Sequence, residues 1–348
     1  MNPYVLTTLL FSLGLGTTMT FASSHWLLAW MGLEINTLAI IPLMTQPHHP
    51  RATESATKYF ITQAAAAALI LFASTANAWT TGEWEINNLS NPLAASMFTM
   101  ALALKIGLAP MHFWMPEVLQ GLDLQTGLIL ATWQKLAPLA LISQTAQTID
   151  PLLLTAMGML STLIGGWGGI TQTQLRKVLA YSSIAHMGWM IIVLQYAPQL
   201  MLIALMTYIF MTSTAFLTLK TTTSTKITTL TTTWTKSQML VSAATLAMLS
   251  LGGLPPFTGF MPKWLIIQEL TKQDMSLTAT IMALSALISL YFYLRLCHTM
   301  TLTTSPGTTA SSTMWRTKGT KTNPLTAMFA TTALGLLPMT PAMLALVI

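Results

Sequence analysis

Apolar runs of about 20 residues recur along almost the whole chain, the length at which a helix crosses a hydrocarbon layer of about 30 Å. The pattern predicts helices near 3–22, 25–45, 58–79, 92–120, 124–147, 150–170, 175–196, 199–220, 238–270, 276–299 and 324–346. On this reading the chain is an all-α polytopic membrane protein with about eleven transmembrane helices. The runs at 92–120 and 238–270 are too long, and too rich in Pro and Gly, for single straight helices. Each reads as two half-helices around a break. The Thr-rich stretch 221–236 and the segment 300–323 read as polar connectors.

Composition narrows the class. The chain is 53% hydrophobic and 7% charged, against about 25% charged in a soluble domain. That excludes a soluble enzyme, and the hydrophobicity excludes a disordered chain. The single cysteine, Cys297, rules out a disulfide framework and a Cys-rich metal or iron–sulfur site. No histidine or acidic cluster has metal-ligand spacing. The net charge of +6 is scattered among apolar runs and forms no nucleic-acid stripe. MNPYVLTTLLF has neither a basic n-region nor a small-residue cleavage site, so the first run is expected to be a retained helix.

The few charges are unevenly placed. With an odd number of spans, the N-terminal face carries Arg51, Lys58, Arg176, Lys177, Lys220, Lys226, Lys236, Arg316, Lys318 and Lys321, with Arg295 near a helix end. The opposite face has Lys272 beside Glu83, Glu85, Asp150 and Asp274. The positive-inside rule then puts the N-terminus on the cytoplasmic or matrix side.

An internal repeat coincides with the two broken runs. GLAPMHFWMPEV (107–118) aligns without gaps with GLPPFTGFMPKW (253–264) at an offset of 146 residues. Five helix steps separate the copies, so they are expected to run through the bilayer in opposite directions. Inverted repeats with paired discontinuous helices are a transporter signature, and the breaks mark the transport site.

Four charges remain inside the spans: Glu34, Lys105, Lys135 and Lys263. Glu34 is roughly 14 Å into its helix, near mid-bilayer. An ionisable group at that depth costs roughly 2.5–3.5 kcal/mol even on the lenient insertion scale, so it faces a partner or a wet cavity. Pro110 and Pro138 each remove a helix hydrogen bond, to the carbonyls of Ile106 and Gln134, next to Lys105 and Lys135. Pro256 and Pro262 flank the second break beside Lys263. Backbone groups freed at depth must be satisfied by side chains or water. Removal from water disfavours a charged lysine and a nearby carboxylate favours it. Balanced between the two, a lysine can take up and release a proton. Glu34 is the counter-ion expected for Lys105. The bland alternatives are a permanent buried ion pair and lysines that snorkel to the interface.

His112 and His186 are weaker candidates for bridging the lysines; a hydrogen-bonded core histidine is the alternative for each. Glu117 and Glu269 are expected to be solvated ends of the broken segments. The glycines of LIGGWGGI (163–170) read as close helix packing. Nothing resembles a nucleotide-binding loop.

MGLEINTLAIIPLM (31–44), ALKIGLAPMHFWMPEVLQG (103–121), TWQKLAPL (132–139), YSSIAHMGWM (181–190) and LGGLPPFTGFMPKW (251–264), taken together, resemble the antiporter-like membrane subunits of respiratory complex I. These are related to the subunits of Mrp-type cation/proton antiporters, and the resemblance covers essentially the whole chain. The length is similar to that of the animal form, which lacks the first helices of longer members. The resemblance implies an inverted repeat and a central row of protonatable residues. Glu34 is similar to the family's early glutamate, Lys105 to the lysine of the first broken helix, Lys135 to the central relay lysine and Lys263 to that of the second broken helix.

The resemblance also implies a function: proton translocation across the mitochondrial inner membrane, with the N-terminus in the matrix and the C-terminus in the intermembrane space. NADH, FMN, iron–sulfur clusters and ubiquinone would be used by other subunits, with no cofactor or redox chemistry in this chain. Partners would be other complex I subunits, neighbouring antiporter-like subunits among them, and lipids, but no nucleic acid. Residues 1–348 would form one membrane domain, with a translocating core at 23–290 and a C-terminal loop and final helix at 291–348. A stand-alone cation/proton antiporter and a structural spacer of a membrane arm remain as alternatives.

Overall fold

The computed structural model describes residues 2–46, 48–231, 233, 238–301 and 324–347. Lys236, Arg316, Lys318 and Lys321 lie outside the described residues, as do 302–323 of the second connector. In chain order the helices are α1 (Pro3–Ala22), α2 (Trp26–Thr45), α3 (Pro50–Thr81), α4 (Pro92–Ile106), α5 (Trp114–Gly121), α6 (Leu124–Ala131), α7 (Trp133–Thr145) and α8 (Pro151–Thr171). Then come α9 (Leu175–Leu194), α10 (Pro198–Thr222), the single turn α11 (Ile227–Leu230), α12 (Gln238–Gly252), α13 (Phe260–Lys272), α14 (Ser276–Thr301), α15 (Pro324–Gly335) and α16 (Thr340–Val347). Among the described residues there is no β-strand, and seven helices are long and apolar enough to span a membrane: α1, α2, α3, α8, α9, α10 and α14. The other expected spans are pairs of shorter helices.

The starts follow simple rules. Six of these helices, α1, α3, α4, α8, α10 and α15, begin with proline, whose fixed φ suits the first turn and whose missing N–H costs nothing there. Helix α3 starts at Pro50, earlier than its apolar run, because the His49 ring accepts from the Arg51 N–H at 3.2 Å and caps it.

The chain divides into two compact units, Met1–Leu160 and Ser161–Ile348, with the boundary inside α8. In the first, α2 packs on α1 and α3, and α3 on α4 and α5. Backbones touch where α1 meets α2: a Cβ on Gly32 would fall 2.8 Å from the Gly16 carbonyl oxygen. In lipid, such small-residue contacts replace the hydrophobic drive that water would supply. In the second unit α10 packs on α9, α12, α13 and α15, and α12 on α14.

Each unit carries the same backbone clasp. In the first, the Trp26 N–H donates to the Trp84 carbonyl and the Ile86 N–H to that of Ser24, at 3.1 and 3.0 Å. In the second, the Leu175 N–H donates to Thr225 and the Ile227 N–H to Thr173, both at 3.1 Å. In both cases the start of one long helix is tied to the loop after the next.

Both expected discontinuous helices are present, and their ends fall at matching residues, although the Ala109–Pro110 peptide bond is cis and its counterpart Pro255–Pro256 is not. Gly107 (φ 84°) ends α4 and Gly253 (φ 81°) ends α12, each in the left-handed conformation that glycine adopts without strain. Gly107 and Leu108 both donate to the Ala103 carbonyl; Gly253 and Leu254 both donate to that of Leu249. Pro110 and Pro256 lie in the turns that follow. Pro116 and Pro262 take the third position of α5 and α13, where a missing N–H is harmless. Pro262 therefore starts the second half-helix instead of breaking one.

Two further runs are interrupted. The run 124–147 parts at Thr132 (φ −113°, ψ −68°), and α7 continues through Pro138. Pro138 acts on the Gln134 carbonyl four residues before it, and the break lies two residues further upstream, where the Thr132 hydroxyl and N–H both donate to the Leu128 carbonyl, at 2.8 and 3.0 Å. The last run parts between α15 and α16 at the 3-10 turn Leu337–Met339, which contains Pro338.

A bulky residue at the α1–α2 contact should separate the helices. Gly32→Val is expected to lower the yield of assembled protein on native gels, and Gly14→Val, which meets open space, to leave it unchanged.

Candidate functional site

In the first unit three elements bring ionisable groups together. Glu34 lies midway along α2, Lys105 in the last turn of α4 and Lys135 in the first turn of α7. The Lys105 Nζ is 3.9 Å from Glu34 Oε1, and its side chain is 2% exposed. That separation is ionic contact but too long for a hydrogen bond, and neither buried atom has a hydrogen-bond partner. The second Glu34 oxygen, Oε2, accepts from the Thr37 hydroxyl at 3.4 Å.

Lys105 and Lys135, both buried, line one cavity together with Asn36, Thr37, Tyr59, Gln63, Trp114 and Gln134. The space open to the centre of a water molecule is about 10 Å³, room for roughly one water. Around it Asn36 Oδ1 and Nδ2 and Gln63 Nε2 are buried with no protein partner. Unsatisfied buried polar atoms cost about 1–3 kcal/mol each, and polar cavities of this kind are where ordered water is held.

The break in front of Lys105 is closed by tryptophan. The Trp114 indole N–H, in the first turn of α5, donates to the Leu104 carbonyl at 2.9 Å. The Tyr59 ring lies 5.7 Å from that of Trp114. A helix-end carbonyl beside Lys105 is thus met by a neutral donor, and the ammonium is left facing Glu34.

The second break uses its lysine instead. Lys263 in the first turn of α13 reaches back across the break and donates to the Gly252 carbonyl, the last of α12, at 2.8 Å. The negative end of the helix dipole favours a cation there. Gly253 makes the room: a Cβ on it would fall 2.9 Å from the Lys263 Nζ. Lys263 and His186, the latter 9% exposed, line a second cavity with about 10 Å³ open to water, along with Thr207, Met211 and Gly259. The His186 ring lies 5.5 Å from that of Tyr208.

Of the residues expected from the sequence, Glu34 contacts Lys105, which shares a cavity with Lys135, in the first unit, and Lys263 and His186 line one cavity in the second. His112 is buried in the first break with Nδ1 3.3 Å from the Pro110 carbonyl oxygen, and it does not line the cavity of Lys105 and Lys135. Glu117, expected to be solvated, is half-exposed and accepts from Lys58 at 2.9 Å, a surface bridge that Glu54 joins at 3.0 Å. Glu269 lies 3.3 Å from Lys272. Sequence reasoning did not single out Asn36, Gln63, Gln134 or Trp114. A search for amides at mid-span would have found the first three. The Trp114 cap has no local signature.

Among known families, the model described as NADH:quinone oxidoreductase/Mrp antiporter, TM, matches residues 23–289, and that of the NADH dehydrogenase subunit 2 C-terminus matches 290–344. NADH-ubiquinone oxidoreductase chain 2 of Cyprinus carpio is 75% identical over 346 residues, 99% of each chain. A chain in the structure of respiratory complex I from Thermus thermophilus with bound aureothin is 28% identical, with a TM-score of 0.82 over 97% of this chain and 77% of that one. A chain of the Mrp complex from a Dietzia species has the same TM-score of 0.82 at 14% identity, over 97% of this chain and 76% of that one, which is likeness of fold.

The room Gly253 leaves for Lys263 can be measured. Gly253→Ala is expected to lower the thermal midpoint more than Gly82→Ala. Both replace a left-handed glycine, at a cost of about 1–2 kcal/mol, but only at Gly253 does the new Cβ displace an ammonium.

Proposed function

This chain belongs to the NADH:quinone oxidoreductase/Mrp antiporter membrane family, and on that footing we propose that it moves protons across the mitochondrial inner membrane through Glu34, Lys105, Lys135 and Lys263. It does so as a core membrane subunit of an NADH–ubiquinone oxidoreductase, the name its curated relatives carry. Other subunits of such a complex hold the electron carriers and the neighbouring membrane helices. The core at 23–290 carries the relay and 291–348 the C-terminal part. The basic loops face the matrix, which puts the N-terminus in the matrix and the C-terminus in the intermembrane space.

The observation that carries this reading is the Glu34–Lys105 contact at 3.9 Å, buried and without other hydrogen bonds on its two facing atoms. A tight bidentate pair would lock both charges. This one is held by Coulomb attraction alone, so a modest change at Glu34 alters what Lys105 gains by staying charged. Moving the carboxylate away, or protonating it, favours release of the Lys105 proton into the cavity. A single water there can accept it and pass it to Lys135, which lines the same cavity. Asn36, Gln63 and Gln134 hold and orient that water. Lys263 with His186 forms the second station, from which the proton leaves. Reloading comes from the matrix.

Gating is required. One charge crossing the membrane is worth about 2.3 kcal/mol per 100 mV, and a permanently open path would dissipate the gradient. The breakable contact at Glu34 supplies the gate: while the pair is intact, Lys105 keeps its proton.

In the assembled complex, Lys135→Met is expected to lower the protons pumped per NADH oxidised with assembly intact. Glu34→Gln, which removes the gate, is expected to lower the protons pumped per NADH oxidised as well. An unchanged pumping ratio in Lys135→Met would favour a structural spacer. Sodium-dependent transport by the isolated chain would favour a stand-alone antiporter.

A further inference from the structure

Helix α15 ends for a reason written in its sequence. Pro338 has no N–H to give the Leu334 carbonyl, and the chain tightens into the turn Leu337–Met339. The last carbonyls of such a helix need donors from elsewhere. Ala333, fully buried, finds two on the second break. The Ser250 hydroxyl donates to its carbonyl at 3.1 Å, and the Thr258 hydroxyl donates to the same oxygen. Ser250 lies in the last turn of α12 and Thr258 in the turn before α13. One carbonyl therefore ties together the two sides of the interruption.

This junction adjoins the Lys263 cavity. Ser250 Oγ is 3.2 Å from the Met211 sulfur, and Met211 and Gly259 both line that cavity. Gly259 is seated so closely that a Cβ would collide with the Ser250 carbonyl oxygen. Phe329 of α15 lies against Phe210, with ring centroids 6.2 Å apart. At the matching place of the first break stands His112, whose ring turns to its own Pro110 carbonyl. The two breaks begin and end at matching residues but differ in what braces them.

We propose that α15 is the positioning element of the Lys263 station: the Ala333 carbonyl, by accepting from Ser250 and Thr258, holds the second break in the form in which Lys263 reaches the Gly252 carbonyl. This rests on the relay reading of Lys263. The hydroxyls touch no proton of the relay; they act through the backbone geometry of residues 253–259. Loosening them lets the turn open, and Lys263 then loses the carbonyl that fixes its ammonium and its distance from His186.

The test is the double variant Ser250→Ala with Thr258→Val in the assembled complex, with Thr258→Ser on the Ser250→Ala background as the conservative partner and Lys263→Met as reference. The expected result is a lower ratio of protons to NADH and a shifted pH profile in the double variant, both restored by Thr258→Ser. An unchanged ratio and profile in the assembled double variant, with Lys263→Met impaired, overturns the proposal and leaves the relay standing. If Lys263→Met is itself unimpaired, the relay reading fails and the proposal falls with it. Should the double variant not assemble, Thr258→Val and Thr258→Ser are compared singly. Loss in valine alone supports the proposal, and equal behaviour overturns it.

Discussion

Inside a bilayer, every carbonyl released by an interrupted helix needs a donor, because there is no water to supply one. This chain interrupts its helices at Gly107, at Gly253 and again before Pro338, and its interior is arranged around meeting those demands. The three solutions differ. An indole N–H from Trp114 serves the first, the Lys263 ammonium the second, and the hydroxyls of Ser250 and Thr258 the third. The choice of donor decides what each lysine is free to do. Where a neutral indole closes the break, the Lys105 ammonium is left to face Glu34 and the cavity it shares with Lys135. Where the lysine closes the break, its charge is stabilised by the helix end itself.

The two lysine stations therefore stand in different electrostatic settings although they grow from one repeated segment. Lys105 depends on a carboxylate 3.9 Å away that can be moved or neutralised. Lys263 depends on a carbonyl that stays in place as long as the break keeps its form. The first setting suits a switch and the second a holding place. Both adjoin space for about one water, the polar surrounding that charges at membrane depth require.

Much of the architecture was legible in the residues. Apolar runs of span length marked the long helices. The shared pattern of GLAPMHFWMPEV and GLPPFTGFMPKW located both discontinuous helices before any coordinates, since Gly followed by Pro forces a chain to leave the helix. Intramembrane rarity picked out Glu34, Lys105, Lys135 and Lys263. Less legible were matters decided by tertiary contact. The run 124–147 breaks at Thr132 and not at Pro138, which lies inside α7. The early start of α3 depends on the His49 cap. Which carbonyl Trp114 or Thr258 would meet depends on partners far away in sequence, which no local pattern encodes. The basic-face count rested partly on Lys236, Arg316, Lys318 and Lys321, which lie outside the described residues.

On the proposed relay, a wet gap between Lys105 and Lys135, opened by the loose contact with Glu34, passes the proton. A density map of the assembled complex at a resolution that shows ordered water tests it most directly. At least one water is expected in the cavity lined by Asn36, Gln63 and Gln134, within hydrogen-bond distance of one of the two lysines. A dry gap filled by apolar side chains, with Lys105 hydrogen-bonded directly to Glu34, would contradict it.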